Sequence, residues 1–137
     1  MKKVFDMKAL QLMALFEKTT KTQPKDCIIQ DNQIIFIVNI AQVGTAVGPK
    51  GINVKKLEQI FKKKIKIAGF SENLQEFIKS LVAPLQLKEI EEIDDIVELT
   101  AKDLKTRGLL IGRNASILRS FEGVIKRFFN IKELKVK

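Results

Sequence analysis

One glycine-bounded loop occurs twice in this chain. Val43-Gly44-Thr45-Ala46-Val47-Gly48-Pro49-Lys50-Gly51 is followed by an amphipathic basic stretch, and so is Arg107-Gly108-Leu109-Leu110-Ile111-Gly112-Arg113-Asn114-Ala115. The two stretches align at one constant offset, which pairs Gly44 with Gly108, Val47 with Ile111, Gly48 with Gly112, Lys50 with Asn114, and Phe61 with Ile125. A repeat of this length means two copies of one folding unit, not a single domain spread over 137 residues. A unit of roughly 65–70 residues buries only about 60% of the surface its unfolded chain exposes and is marginal alone. The two units are therefore expected to pack together.

Charge gathers around both loops. The chain carries 25 basic and 16 acidic residues, a formal charge of +9. Lysines 50, 55, 56, 62, 63, 64 and 66 follow the first loop with one acid, Glu58, among them. Residues 102, 105, 107, 113 and 119 are basic around the second, with Asp103 as the one acid. The other acids concentrate at Glu89, Glu91, Glu92, Asp94, Asp95 and Glu98. A glycine turn between two helical segments with basic residues at its tip suits a nucleic-acid backbone. An acidic protein surface is the competing partner, and a solvated basic helix is the purely structural alternative.

Catalysis finds few groups to work with. There is no histidine, so the commonest general base and metal ligand is missing. The single cysteine, Cys27, sits in an apolar run and reads as a small buried hydrophobe. The spacing of Gly44, Gly48 and Gly51 matches neither the dinucleotide-binding nor the P-loop pattern. No enzyme, cofactor or metal site is expected. The acidic run from Glu89 to Glu98 reads as a solvated strand pair or a balance to its basic neighbour, with a bound cation as the weaker alternative. No apolar run is long enough for a membrane span, and the N-terminal lysines lack a signal-peptide continuation. A cytoplasmic, monomeric protein is expected.

Periodicity gives the scaffold. Val4, Phe5, Leu12, Leu15 and Phe16 predict an amphipathic helix over residues 4–19. Runs 27–30 and 33–40 flank Asp31-Asn32 as a hairpin. A short helix at 43–47, the loop 48–51 and a helix at 52–63 follow, the last with Val54, Leu57, Ile60 and Phe61 as its apolar stripe. A strand over 64–68 closes the first unit at Phe70. In the second, Ser71 is the expected cap of a helix reaching Val82. Strands at 86–91 and 95–101 turn around Ile93-Asp94. A helix at 105–111, the loop 112–115, a helix at 116–129 and a strand at 132–136 complete the same order. In that last helix, Ile117, Leu118, Phe121, Val124, Ile125 and Phe128 supply the apolar face.

A helix, a GxxG-type loop and a second helix on a small sheet resemble the KH domain, and a leading helix with the final strand last resembles its type II form. The run Val43 to Gly51 and the run Ile111 to Ser116 resemble the first and second KH domains of the NusA family, in the short form found in archaea. The resemblance implies an α+β fold of two tandem type II KH domains, residues 1–70 and 71–137, each a three-stranded sheet covered by helices. It also implies single-stranded RNA, either nascent transcript or ribosomal RNA, as the ligand. The function implied is transcription termination or antitermination, with RNA polymerase as a possible further partner. A ribosome-associated or RNA-processing KH protein, or a basic protein-interaction module, is the alternative.

A KH loop clamps the backbone of about four nucleotides. On that pattern Gly48 and Gly51 let phosphates approach, and amides at the start of the following helix favour an anion. Lys50 supplies charge at the first tip and Arg113 at the second, beside Gly112, Asn114 and Ala115. Asn53, Lys55 and Lys56 reach phosphate or sugar, and Arg107 and Arg119 flank the second loop. Val47, Ile52 and Ile111 floor an apolar groove for bases. Two departures stand out. Pro49 removes a backbone donor, and Ala115 replaces a glycine. If position 115 needs a positive φ, alanine is strained there; if it lies in the helix, alanine is harmless. The first unit is expected to bind more strongly.

Overall fold

The computed structural model describes residues 7–137. The chain divides into two compact units, the first ending at Glu72 and the second spanning Asn73–Lys137. The first contains α1 (Met7–Thr20), β1 (Asp26–Ile29), β2 (Gln33–Asn39), α2 (Val43–Val47), α3 (Ile52–Phe61) and β3 (Lys64–Phe70). The second repeats the order with α4 (Leu74–Val82), β4 (Leu87–Ile93), β5 (Ile96–Ala101), α5 (Leu104–Ile111), α6 (Ser116–Lys126) and β6 (Glu133–Val136). The fold is α+β, with two separate three-stranded sheets.

Both sheets have the same topology. β1 pairs antiparallel with β2, and β3 lies parallel on the other side of β2, with Cys27 opposite Phe36 and Ile34 opposite Ile65. β4, β5 and β6 repeat this, with Ile90 opposite Leu99 and Val97 opposite Leu134. Antiparallel neighbours close through a tight turn, but parallel neighbours need a long crossover. Each helix–loop–helix is that crossover, so the repeated loop sits where the sheet topology requires a corner.

Aromatic and aliphatic side chains fill the helix-facing side of the first sheet. Phe16 stacks on Phe36 with ring centroids 4.3 Å apart, and Phe61 lies 6.0 Å from Phe36. Ala46, Leu57, Ile34 and Val38 complete the cluster. All residues from Ile34 to Val38 are buried, so β2 is covered on both faces, as a strand flanked by a parallel neighbour commonly is. In the second unit Phe77 meets Phe128 edge-on at 5.3 Å and Phe129 at 5.5 Å.

Several expectations shift by local geometry. Val4 and Phe5 lie outside the described residues. Leu15 is 41% and Ile60 50% exposed, because Ala9 and Phe16 on α1, and Val54, Leu57 and Phe61 on α3, face the core instead. α3 stops at Phe61 because Lys62 turns left-handed, its amide donating to the Glu58 carbonyl. β3 runs on to Phe70, paired with Val38 and Asn39. Gly69 permits this: a Cβ there would lie 2.7 Å from the Ile40 Cα. Asn73, not Ser71, caps α4, its side chain accepting from the Glu76 amide at 3.0 Å. The second hairpin turns at Asp94-Asp95, both with positive φ, one residue later than Ile93-Asp94. That is the backbone a two-residue turn between twisted strands requires. α6 ends at Lys126, and the amides of residues 127–129 fold back on the Val124 and Ile125 carbonyls.

One device ties crossover to sheet in both units. Glu58 on α3 accepts the Ile65 amide at 3.4 Å, and Glu122 on α6 accepts the Leu134 amide at 2.8 Å. These glutamates are aligned in the repeat, and so are the two amides by strand register. Glu122 also takes Arg119 at 2.6 Å and Lys126 at 3.9 Å. Burial alone would push its carboxyl up, but the Leu134 amide, Arg119 and Lys126 together hold it below the ordinary glutamate value. A depressed carboxyl contributes stability above the unfolded-state pKa, and that contribution is lost as pH falls through the folded value. Glu122→Gln should therefore cost about 1 kcal/mol near neutrality. In melting curves across pH, the gap to the wild type should close as pH falls below about 4.3, the ordinary glutamate value.

Candidate functional site

The two loops have the same backbone, residue for residue. Gly48 and Gly112 end α2 and α5 at φ 80°, ψ 166° and φ 72°, ψ 179°. Lys50 and Asn114 follow at φ 55°, ψ 26° and φ 55°, ψ 34°. Gly51 and Ala115 are left-handed at φ 70°, ψ 24° and φ 60°, ψ 22°. Ile52 and Ser116 then start the next helix with right-handed φ and ψ. Hydrogen bonds repeat as well: Gly48 to Gly44 and Gly112 to Gly108, then Gly51 to Gly48 and Ala115 to Gly112.

This geometry decides the question of Ala115 and separates the two glycines of the motif. The first glycine sits in a region of φ and ψ that is essentially closed to side chains. It is also hemmed in: a Cβ on Gly48 would lie 2.9 Å from Ile52 Cγ2, and one on Gly112 would lie 2.7 Å from Ile117 Cγ1. The last position needs a left-handed backbone, but a Cβ on Gly51 would meet nothing within 4 Å. Ala115 is therefore strained yet sterically accommodated, and the second loop keeps its shape without the glycine. A single left-handed residue of this kind costs about 1 kcal/mol.

The predicted site residues divide into those facing solvent and those engaged in the fold. Pro49, Lys50, Lys55, Lys56, Arg113 and Asn114 are exposed. Val47 and Ile111 are half-buried behind the loops, and Ile52 leaves 46% of its surface open. Asn53 instead braces the crossover, its Nδ2 donating to the Thr45 carbonyl at 3.3 Å. Its counterpart Ile117, 40% exposed and outside the core stripe expected for α6, packs over Gly112. Arg107 and Arg119 are turned toward the final strand: Arg107 Nε donates to the Lys137 carbonyl at 3.0 Å, and Arg119 to Glu122 and the Leu134 carbonyl.

The helix-start amides are also partly committed, since Gly51 donates to Gly48 and Ile52 to Pro49 within the loop. The lysine cluster thins in the same way. Lys63 Nζ donates to the Gln30 carbonyl at 3.3 Å, and Lys66 is half-buried with its ammonium pKa lowered by desolvation. Lys62 and Lys64 are exposed beside Lys55 and Lys56. The strand ties made by Glu58 and Glu122 add two functional positions that spacing alone does not mark. The signal for Glu58 was present, as the one acid inside a basic stretch. Cys27 is 4% exposed. Among the described residues no group of three or more acidic, histidine or cysteine side chains could hold a metal ion, and no helix is long and apolar enough to cross a membrane.

Comparison with known proteins places this geometry. A family model of the KH domain matches residues 12–106, from within α1 to within α5. A protein of Methanocaldococcus jannaschii named "probable transcription termination protein NusA" is 32% identical, over 90% of this chain and 69% of its own length. A protein of the same name from Halococcus morrhuae is 25% identical over 93% of this chain and 94% of its own. Among solved structures, the crystal structure of APE1850 superposes with a TM-score of 0.77 at 20% identity, covering 97% of this chain and all of the other. At that identity the likeness concerns the fold.

The loop geometry yields an ordered mutational series. Gly112→Ala should be the most damaging change, costing about 1–3 kcal/mol. Gly51→Ala should cost about 1 kcal/mol and keep the loop shape, whereas Ala115→Gly should stabilise by about 0.5–1 kcal/mol. Denaturant unfolding of the four proteins checks the ranking. A neutral Gly112→Ala would contradict it.

Proposed function

Because this chain belongs to the KH-domain family, among its NusA-like members, we propose that it binds single-stranded RNA at its two loops and acts through that RNA in transcription termination or antitermination. The observation that carries the proposal is the identical backbone of the two loops, each with a cation exposed at its tip. On this reading residues 1–70 and 71–137 are tandem type II KH domains. Each loop clamps the backbone of about four nucleotides, which leaves the bases free to be read.

The residues take distinct parts. Gly48 and Gly112 shape the corner so that phosphates approach main chain instead of side chain. Lys50 presents an ammonium at the first tip. Arg113, one position earlier in the second, presents a guanidinium whose planar fork suits a phosphate. Lys55 and Lys56, on the first turns of α3, extend the positive track. Val47 and Ile52 in the first unit, and Ile111 in the second, offer apolar surface to bases. The first unit contributes more, because Lys50, Lys55 and Lys56 are exposed while Arg119 is tied to Glu122. The names of the archaeal relatives support a transcript as the RNA. That target implies a cytoplasmic site of action near RNA polymerase.

Fluorescence anisotropy with a short single-stranded RNA tests this. For four neutralised phosphates, log K should fall against log salt with a slope of about −3. Pro49→Asp with Lys50→Asp should leave the melting temperature unchanged, since both side chains are exposed and Asp tolerates the left-handed position better than Lys. RNA affinity should drop at least about tenfold, a loss of about 1.4 kcal/mol. Equal affinity in that variant would remove the first loop from the site.

A further inference from the structure

The acidic run of the second unit forms one side of a sheet face that points away from the core. Ile90, Val97, Leu99 and Leu134 are buried on the helix side of β4, β5 and β6. The alternate residues Glu91, Ile93, Ile96, Glu98 and Lys135, with Asp94 at the turn, line a shallow cleft of about 210 Å³ on the other side. Strand register puts Glu91 directly opposite Glu98, and Ile93 directly opposite Ile96. Like charges facing each other across a strand pair repel. Lys135 is the register neighbour of Glu98. Glu98 thus has one cation and one carboxylate as cross-strand neighbours, while Glu91, on the edge strand, faces only Glu98. Beside them Ile93 leaves 65% of its surface in water.

We propose that this face docks a basic, aliphatic-bearing segment of a partner protein, with a lysine or arginine set between Glu91 and Glu98 and an apolar side chain against Ile93 and Ile96. Charge complementarity selects this occupant. In a chain of net charge +9, this is a locally acidic surface, with three carboxylates to one lysine, and it repels phosphate. A metal ion is not favoured, because these carboxylates do not converge into a group that could hold one. A cation from a partner relieves the opposed glutamates, and the neighbouring isoleucines exclude water from the contact, which strengthens the pairing. The inference is independent of RNA binding, and a failure of the RNA reading leaves it intact.

The test is a titration of the whole chain against a short labelled peptide alternating lysine and leucine, with a lysine-only peptide of equal length as control. The expected result is saturable one-to-one binding, weaker for the lysine-only peptide. Glu91→Gln with Glu98→Gln should weaken it at least about tenfold while the melting temperature stays equal or rises, because a repulsion has been removed. Ile93→Ser, at an exposed position, is the second variant and should weaken the lysine–leucine peptide without affecting the lysine-only control. Equal affinity of both variants and wild type would overturn the proposal. So would self-association in sedimentation velocity that the glutamine variant abolishes, which would identify the occupant as a second copy of this chain.

Discussion

A parallel strand pair governs the rest of this structure. β3 beside β2, and β6 beside β5, can be reached only by a chain that leaves the sheet, crosses one face and returns. Two short helices make that crossing, and the reversal between them must be tight enough to keep both on the same layer. The backbone meets this demand with a glycine at φ near 75° and, after one intervening residue, two left-handed residues, in both units. The surface loop and the sheet topology are thus one constraint seen from two sides. Its outward tip is free to carry charge because the inward contacts are made by the flanking residues Ile52, Asn53 and Ile117.

Charge is divided by task within each crossover. Glu58 and Glu122 hold the returning strand by a backbone amide, and Arg119 and Lys126 gather on Glu122. Lys63 fastens the first hairpin through Gln30. The cations at the loop tips and on the outer side of α3 face solvent. Charge count alone therefore overstates the groups free to meet a polyanion, since Lys63 and Arg119 are engaged within the fold. The densest run of opposite charge lies in the second unit, where Glu91, Asp94 and Glu98 share the outer side of the sheet with Lys135.

Much of the architecture was legible because two periodicities alternate with clear breaks. The β-branched runs around Asp31-Asn32, the stripe of Leu57 and Phe61, and the repeat itself located most elements to within a residue or two. Sequence and structure part where a competing partner appears only in space. Ser71 and Asn73 are both good caps, and only the direction of the chain into α4 selects Asn73. Leu15, Ile60 and Ile117 have the right spacing for a core, yet the narrow contact between helix and sheet admits only their neighbours. Asn53, Arg107 and Arg119 have the chemistry of ligand contacts, and the fold engages them internally.

From the amino-acid order alone came the duplication, the alternation of helices and strands, the basic loops and the family resemblance, because these depend on residue type and spacing along the chain. The tertiary structure decided which charges face solvent, which glycine is irreplaceable and why Ala115 is tolerated. Those outcomes depend on what occupies the space beside each backbone atom. Gly48 has Ile52 and Asn53 against it, whereas a Cβ at Gly51, the position Ala115 fills in the second loop, would meet nothing within 4 Å. Spacing in sequence does not record that difference, since both positions demand the same sign of φ.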